Sequence, residues 1–377
     1  MHNPPKILFV ANVAKEHILK FHIPAIKMFT DLGWLVDVAC GGAEPIPYCH
    51  HQYILPYTRA TLNWNTLRGF SQVCKIAHTE KYDVIYCHTA VGGMAGRLAG
   101  IGLRRKGTKT VFFDHGYDFY KGAPILNWLT FFAEEWLMAR FTDATICINQ
   151  EDFDITKRVL RPKKTYYIEG VGFDPARFIV EDRNIVRKHY RDVLGIPQDA
   201  TVLIYLAELI DNKNQKLLMD ALKIVLTTRP NTFLVLAGFD HTDGEYTKYA
   251  EQIGVNEHVK YLGWREDVGE LYATADICTA SSKSEGLGLN LVEAMYSGLP
   301  VIATENRGHS TIIEDGKNGF LVKSHDPNDF AQRIIEIADN FGIKDSLVRH
   351  GLITQKKYQI STVLEKLIGI FEEVINE

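Results

Sequence analysis

Short apolar runs alternate with helical periodicity along this 377-residue chain, stop, and then start again. Lys6–Ala11 is strand-like, Glu16–Leu32 has the spacing of a helix ending at Gly33, and Trp34–Cys40 is strand-like once more. Such a β-α-β rhythm argues for a parallel, doubly wound sheet, because strands covered by helices on both faces read as short continuous apolar runs. Further strands are expected at Asp83–Cys87, Lys109–Phe113, Ala144–Ile148 and Thr165–Ile168. A charged, helix-rich stretch from Asp174 to Ala200 interrupts the pattern, punctuated by Gly195-Ile196-Pro197. The alternation resumes at Thr201–Leu206, Thr232–Ala237, Val259–Leu262, Ala275–Ala280, Val301–Thr304 and Phe320–Val322. The fold class expected is therefore α/β, with two Rossmann-like halves joined near residues 172–200 and ligands beyond the carboxyl ends of the strands.

Composition narrows the functional classes. Hydrophobic residues make up 46% and charged residues 23%, the balance of a globular protein with ordinary cores. No apolar run approaches 18 residues, so no membrane-spanning helix is expected, and MHNPPKILFV runs into a strand rather than forming a signal peptide. Six cysteines (Cys40, Cys49, Cys74, Cys87, Cys147, Cys278) without a C-x-x-C pair read as reduced, buried and cytosolic. The net charge of −4 is uneven: residues 1–180 carry 21 Lys and Arg against 16 Asp and Glu, and residues 181–377 carry 21 against 30. A basic first half suits an anionic partner such as lipid headgroups or a lipid-linked diphosphate. The absence of a basic stripe with interleaved aromatics argues against nucleic acid, and the absence of G-x-G-x-x-G after the first strand argues against a nicotinamide or flavin enzyme.

Chemistry concentrates in SEGLGLNLVEAMYSGLPVIAT, residues 284–304. Leu289, Leu291, Val292 and Met295 give a short helix its apolar positions, Gly298 suits its C-terminal cap, and Pro300 stops it before a strand. Glu285 then lies in the preceding loop and Glu293 on the second turn, while Gly286 and Gly288 free backbone N–H groups to face an anion. A diphosphate can dock on such a helix start, with one carboxylate taking ribose hydroxyls and the other a sugar.

This segment resembles the E-x7-E signature of retaining glycosyltransferases of the GT-B fold, family 4, and the similarity runs along nearly the whole chain. The resemblance implies two Rossmann-like domains facing a cleft: residues 1–172 for the acceptor, residues 173–359 for the nucleotide sugar, and a last helix within 360–377 crossing back onto the first domain. It implies donor contacts from Lys213, Arg265, Glu293 and the turn Gly286, Leu287, Gly288, Leu289 and Asn290, with Glu285 meeting the transferred sugar. The usual arginine of the family lysine element is here Glu208, which leaves the leaving diphosphate one cation short, and Arg307 is a candidate to compensate. Trp264 and Arg265 fall in a segment resembling the base pocket. On the acceptor side, His115 matches the family histidine at the reaction centre, and His88 and His22 stand beside it as further candidates. The resemblance implies a UDP-sugar as co-substrate, a lipid-linked saccharide acceptor, retention by front-face displacement, and no cofactor or metal. The acidic run EDFD at 151–154 fits a helix cap better than a metal site.

Residues 121–141, KGAPILNWLTFFAEEWLMARF, admit two roles. As a core helix the segment would turn Glu134 and Glu135 to solvent; as a surface helix near Arg104, Arg105 and Lys106 it would lie on the inner membrane leaflet, giving a cytoplasmic protein in peripheral membrane contact. Two other functions fit the same architecture: a UDP-sugar 2-epimerase, and a sugar-nucleotide-binding protein that has lost catalysis, toward which Glu208 points.

Overall fold

The computed structural model describes residues 4–57, 64–323 and 326–376. The chain divides into two compact units, Met1–Gly172 together with Ile360–Glu377, and Phe173–Gln359. The first unit holds seven strands: β1 (Lys6–Val13), β2 (Leu35–Gly41), β3 (His51–Leu55), β4 (Val84–His88), β5 (Lys109–Phe113), β6 (Ala144–Cys147) and β7 (Lys164–Tyr167). They lie in the order β3-β2-β1-β4-β5-β6-β7 and every pairing is parallel. Ile7 to Val10 and Val84 to Cys87 are wholly buried, as central strands covered on both faces must be. The second unit holds β8 (Thr201–Leu206), β9 (Thr232–Ala237), β10 (Val259–Tyr261), β11 (Ile277–Ala280), β12 (Val301–Thr304) and β13 (Phe320–Val322), in the order β10-β9-β8-β11-β12-β13, again all parallel.

Each sheet reverses its strand order once, between β1 and β4 in the first unit and between β8 and β11 in the second. Loops leaving adjacent strands diverge there, which opens a crevice at the carboxyl edge where ligands of such sheets bind. Twelve of the strands fall where apolar runs predict them. The exception is β3: HQYIL is half polar, and as an edge strand it needs only β2 as a partner, so little of it is buried.

The helical segment after β1 departs from regular winding. Ala14–His22 is π-helical, with α-helix resuming over Ile23–Asp31, and Pro24 stands at the changeover. The final helix, Ile360–Ile375, belongs to the first unit. Phe371 packs its ring 4.9 Å from Phe29 and 4.8 Å from Tyr86, and Lys366 bonds Glu169 at 2.7 Å.

Two expectations need correction. Glu135 does not face water: it is buried on the helix Ile125–Met138 and takes both guanidinium nitrogens of buried Arg97 at 2.6 and 2.7 Å. The helix is amphipathic in the opposite sense, leaving Ile125, Leu126, Leu129, Trp136 and Leu137 exposed. Of the six cysteines, all unpaired, Cys49 and Cys74 are only half-buried. Among the described residues no helix is long and apolar enough to cross a membrane.

Candidate functional site

In the second unit the loops leaving β8 and β11, the two strands flanking the order reversal, are stitched together. After β8 a tight turn, Asp211–Lys213, is closed by Asn214 in the left-handed region at φ 52°. Asn212 donates through Nδ2 to the Ser284 carbonyl at 2.9 Å, and Ser281 donates to the Lys213 carbonyl at 2.7 Å. These bonds hold the Lys213 ammonium against Glu285 Oε1, which also accepts from Ser282 Oγ at 2.6 Å. Burial alone would raise the Glu285 carboxyl, but the cation at Lys213 and His309 outweigh it and hold Glu285 below the usual carboxylate range.

The helix Leu289–Tyr296 begins at Gly288, whose φ of +95° suits glycine and whose missing Cβ leaves room for the His309 ring at 3.0 Å. It ends in a Schellman turn: Leu299 N–H donates to Ala294 O at 3.0 Å and Gly298 N–H to Met295 O at 3.1 Å, with Gly298 at φ +73°. Leu287 turns its side chain into the core, so only its backbone can meet a ligand. Glu293 is held differently from Glu285. Among the described residues its carboxylate takes one long hydrogen bond, from Tyr272 Oη at 3.4 Å, and that hydroxyl is closer to Asn290 O at 3.0 Å. Burial pushes the Glu293 carboxyl up to about 7, with Arg177 and Tyr272 opposing it only in part. A carboxylate so poorly supplied with donors is suited to accept them from a ligand.

The remaining residues expected on the donor side divide. Arg265 is taken up by Asp267 through Nε at 2.7 Å and a second nitrogen, which holds Asp267 at about 2 and raises the guanidinium further above its ordinary value. Trp264 is half exposed and stacks on Phe239 with ring centres 5.1 Å apart. Glu208 leans toward His241 at 3.7 Å, and its carbonyl accepts from Gln215. Arg307 opens the helix Arg307–Ile312.

In the first unit, three predicted histidines and a fourth come together at the carboxyl edge beside the order reversal. His88 is the last residue of β4, and His115 follows β5, its loop shaped by Asp114, which accepts from Gly116 N–H at 2.8 Å. The residue after His88, Thr89, has φ 63°, a strained conformation for a β-branched residue; its hydroxyl accepts from Asn12 N–H at 3.2 Å and Gly92 N–H at 3.3 Å. Gly92 is demanded by packing, since a Cβ there would lie 2.6 Å from Ala11 Cα. His22 Nε2 sits 3.2 Å from both His17 Nε2 and His115 Nε2. Burial depresses all four imidazoles, His17 to about 4, so they are neutral near pH 7. Asp152, of the EDFD run, accepts from Tyr117 N–H at 3.2 Å and Glu151 from Lys121 N–H at 2.8 Å.

Sequence reasoning passed over His17, Ser282 and His309. His309 Nδ1 donates to Thr304 O at 2.7 Å, which turns Nε2 toward the glycine that opens the Leu289–Tyr296 helix. His309, two residues after the already marked Arg307, could have been flagged on proximity; His17 could not, because its sequence context is an ordinary helix.

Both units resemble known proteins. Residues 25–170 match the family described as Glycosyltransferase Family 4, and residues 186–349 match Glycosyl transferases group 1. The chain is 38% identical to putative glycosyltransferase EpsD of Bacillus subtilis over 97% of its own length and 96% of the relative's. It is 26% identical to the UDP-Gal:alpha-D-GlcNAc-diphosphoundecaprenol alpha-1,3-galactosyltransferase of Escherichia coli, covering 73% of this chain and 71% of that one. Among solved structures, Anabaena Alr3699/HepE in complex with UDP and glucose superposes with a TM-score of 0.81 at 22% identity, over 98% of this chain and 100% of that chain. WaaG, a glycosyltransferase involved in lipopolysaccharide biosynthesis, gives 0.75 at 18% identity, over 97% and 99%. With sequence similarity running through both parallel-sheet units, the chain belongs to the group 1 glycosyltransferases and carries their GT-B fold.

Proposed function

We propose that the protein is a retaining family 4 transferase that moves a hexose or N-acetylhexosamine from a UDP-sugar to a polyprenyl-diphosphate-linked saccharide during cell-surface polysaccharide synthesis. The observation that carries this reading is the under-supplied carboxylate of Glu293 beside the helix start at Gly288, with the Lys213–Glu285 pair at the same order reversal. The ribose hydroxyls would bond Glu293, and the diphosphate would lie on the backbone of Gly286 to Asn290 with Lys213 as its cation. Glu285 would meet hydroxyls of the transferred sugar. His115 would hold that sugar through its backbone and ring dipole as positive charge develops, with His88 and His22 on the acceptor side. The departing phosphate oxygen would take the proton of the acceptor hydroxyl on the face it leaves, which gives retention without a covalent enzyme intermediate. The E. coli relative that acts on a diphosphoundecaprenol substrate supports the acceptor class. The structural neighbour solved with UDP and glucose supports the donor.

Binding tests this first. UDP at about 100 times its dissociation constant should add roughly 2.7 kcal/mol of apparent stability, with GDP and ADP adding much less and Glu293→Ala abolishing the gain. Equal shifts with all three nucleotides, or an unchanged mutant, would sink the donor site. The protonation state adds a finer check. Glu293 sits near 7 in the free protein, while ribose donors favour its ionised form. UDP-sugar affinity should therefore rise as pH climbs through about 7, by up to roughly tenfold per unit below it, and then level off; Glu293→Gln should give a flat profile. Conversion of UDP-sugar to a free epimer without acceptor would point to the epimerase instead.

Membrane contact belongs to the same proposal. The exposed face of Ile125, Leu126, Leu129, Trp136 and Leu137 adjoins a basic segment, because Arg104 donates to the Arg140 carbonyl at 3.0 Å and so sets exposed Arg105 and Lys106 beside the helix end. Sedimentation with phosphatidylglycerol vesicles at low salt should fall roughly 30-fold in affinity for the Arg105→Ala, Lys106→Ala double variant, at about 1 kcal/mol per cation. Equal binding to neutral phosphatidylcholine vesicles would refute it.

A further inference from the structure

We propose that His17, His22, His88 and His115 together bind one divalent transition-metal ion of the zinc class, against the metal-free expectation drawn from the family. One ring nitrogen of each lies within 4.8 Å of all the others. Tetrahedral zinc with metal–nitrogen bonds of about 2.0–2.1 Å has ligand nitrogens about 3.3 Å apart. The two closest separations, His22 Nε2 to His17 Nε2 and to His115 Nε2, are both 3.2 Å.

Hydrogen bonding satisfies this set poorly. A ring nitrogen is either a donor or an acceptor, never both. The single proton or lone pair at His22 Nε2 is therefore divided between two neighbours. His88 is wholly buried, and neither of its ring nitrogens has a hydrogen-bond partner among the described residues. Orphaned polar atoms at such depth normally cost free energy, so their persistence points to a missing partner. A cation that accepts four lone pairs supplies it.

The backbone also is shaped to bring these rings together. His17 and His22 are five residues apart, which in an α-helix turns them about 140° from each other. In the π-helical segment Ala14–His22 the turn is wider, its hydrogen bonds spanning i to i+5, and the two rings share a face with centres 4.9 Å apart. His88 and His115 come from neighbouring strands, since His88 pairs with Phe113 in the β4–β5 register. An all-imidazole set suits zinc, cobalt, nickel or copper and not magnesium or calcium. Four protein ligands make a closed, structural centre, which would tie the π-helical segment to the ends of β4 and β5; His22 and His88 then act on the acceptor side only by positioning, and His115 is oriented to meet the sugar through its backbone. His115 is the one partly exposed member and gives the ion its entry path.

Cobalt titration of the full-length, tag-free, chelator-stripped protein tests this, and it does not depend on sugar transfer. Wild type should take up one equivalent of Co2+ with the intense visible bands of tetrahedral cobalt, displaced by one equivalent of Zn2+. His17→Gln and His88→Gln should each weaken uptake by more than about 100-fold, beyond what loss of an outer-shell partner costs. His189→Gln, at an exposed histidine, should leave it unchanged. Wild type that shows no tetrahedral spectrum overturns the proposal, as do bands that persist in both variants. Should the variants not fold, X-ray absorption on the wild-type zinc protein decides: four nitrogen neighbours at about 2.0–2.1 Å are expected, and a shell of sulfur or carboxylate oxygen overturns it.

Discussion

Lys213→Met is expected to lower the turnover of sugar transfer about 10²–10³-fold, the range found when one preorganised donor to developing negative charge is removed. The diphosphate gains charge as the glycosidic bond breaks, and Lys213 is the cation held at the order reversal of the second sheet. Glu208 stands where the family resemblance leads one to expect an arginine, so Lys213 is expected to bear more of that charge than it would with a cationic neighbour. UDP affinity should fall much less, because the backbone turn and Glu293 still hold the nucleotide. Part of the loss can come from Glu285 left without its cation; a cycle with Glu285→Gln alone and in combination separates the two effects, and Lys213→Met should still cost turnover when made on top of Glu285→Gln. Single-turnover rates with a UDP-sugar and lipid-linked acceptor measure it. A turnover within threefold of wild type would mean that Lys213 is a structural partner of Glu285 and nothing more.

Arg97→Met is expected to destabilise the first unit by about 3–5 kcal/mol, because it leaves the buried carboxylate of Glu135 without compensation. Arg97 is enclosed on every side: two bonds to Glu135, one from Nε to Gly93 O at 2.9 Å, and the Phe112 ring 4.1 Å from its guanidinium carbon. Four of the five tryptophans (Trp34, Trp64, Trp128, Trp136) belong to this unit, so fluorescence-detected urea unfolding reports it. Arg97→Met with Glu135→Leu should recover most of the loss, since exchanging a whole buried ion pair for apolar groups of similar volume is often neutral. If the double variant is as unstable as the single one, the loss lies in packing rather than in the uncompensated charge.

Local patterns carried most of the architecture. Continuous runs such as LIYL and FLVLA announce buried parallel strands, and Thr201–Leu206, Thr232–Ala237, Val301–Thr304 and Phe320–Val322 form as their residues predict. The helix Leu289–Tyr296 was equally legible, because its apolar spacing, opening glycine and closing glycine lie within a dozen residues. Two kinds of feature escaped. The edge strand His51–Leu55 is too polar to stand out, since an edge needs little burial. The helix Ile125–Met138 showed amphipathicity without showing which face is buried: Glu135 goes inside only because Arg97, 38 residues earlier, is already there.

By itself the sequence therefore determined the alternation of strands and helices, the two-unit α/β class and the carboxylate-bearing helix start of the second unit. All of these depend on residues a few positions apart, where backbone periodicity and capping act. Only the tertiary structure decided that Lys213 meets Glu285 across 72 residues, and that four histidines from the π-helical segment, the end of β4 and the loop after β5 converge. Those meetings are set by sheet order and by the winding of one segment, and both follow from how the whole core packs rather than from the preference of any residue in them.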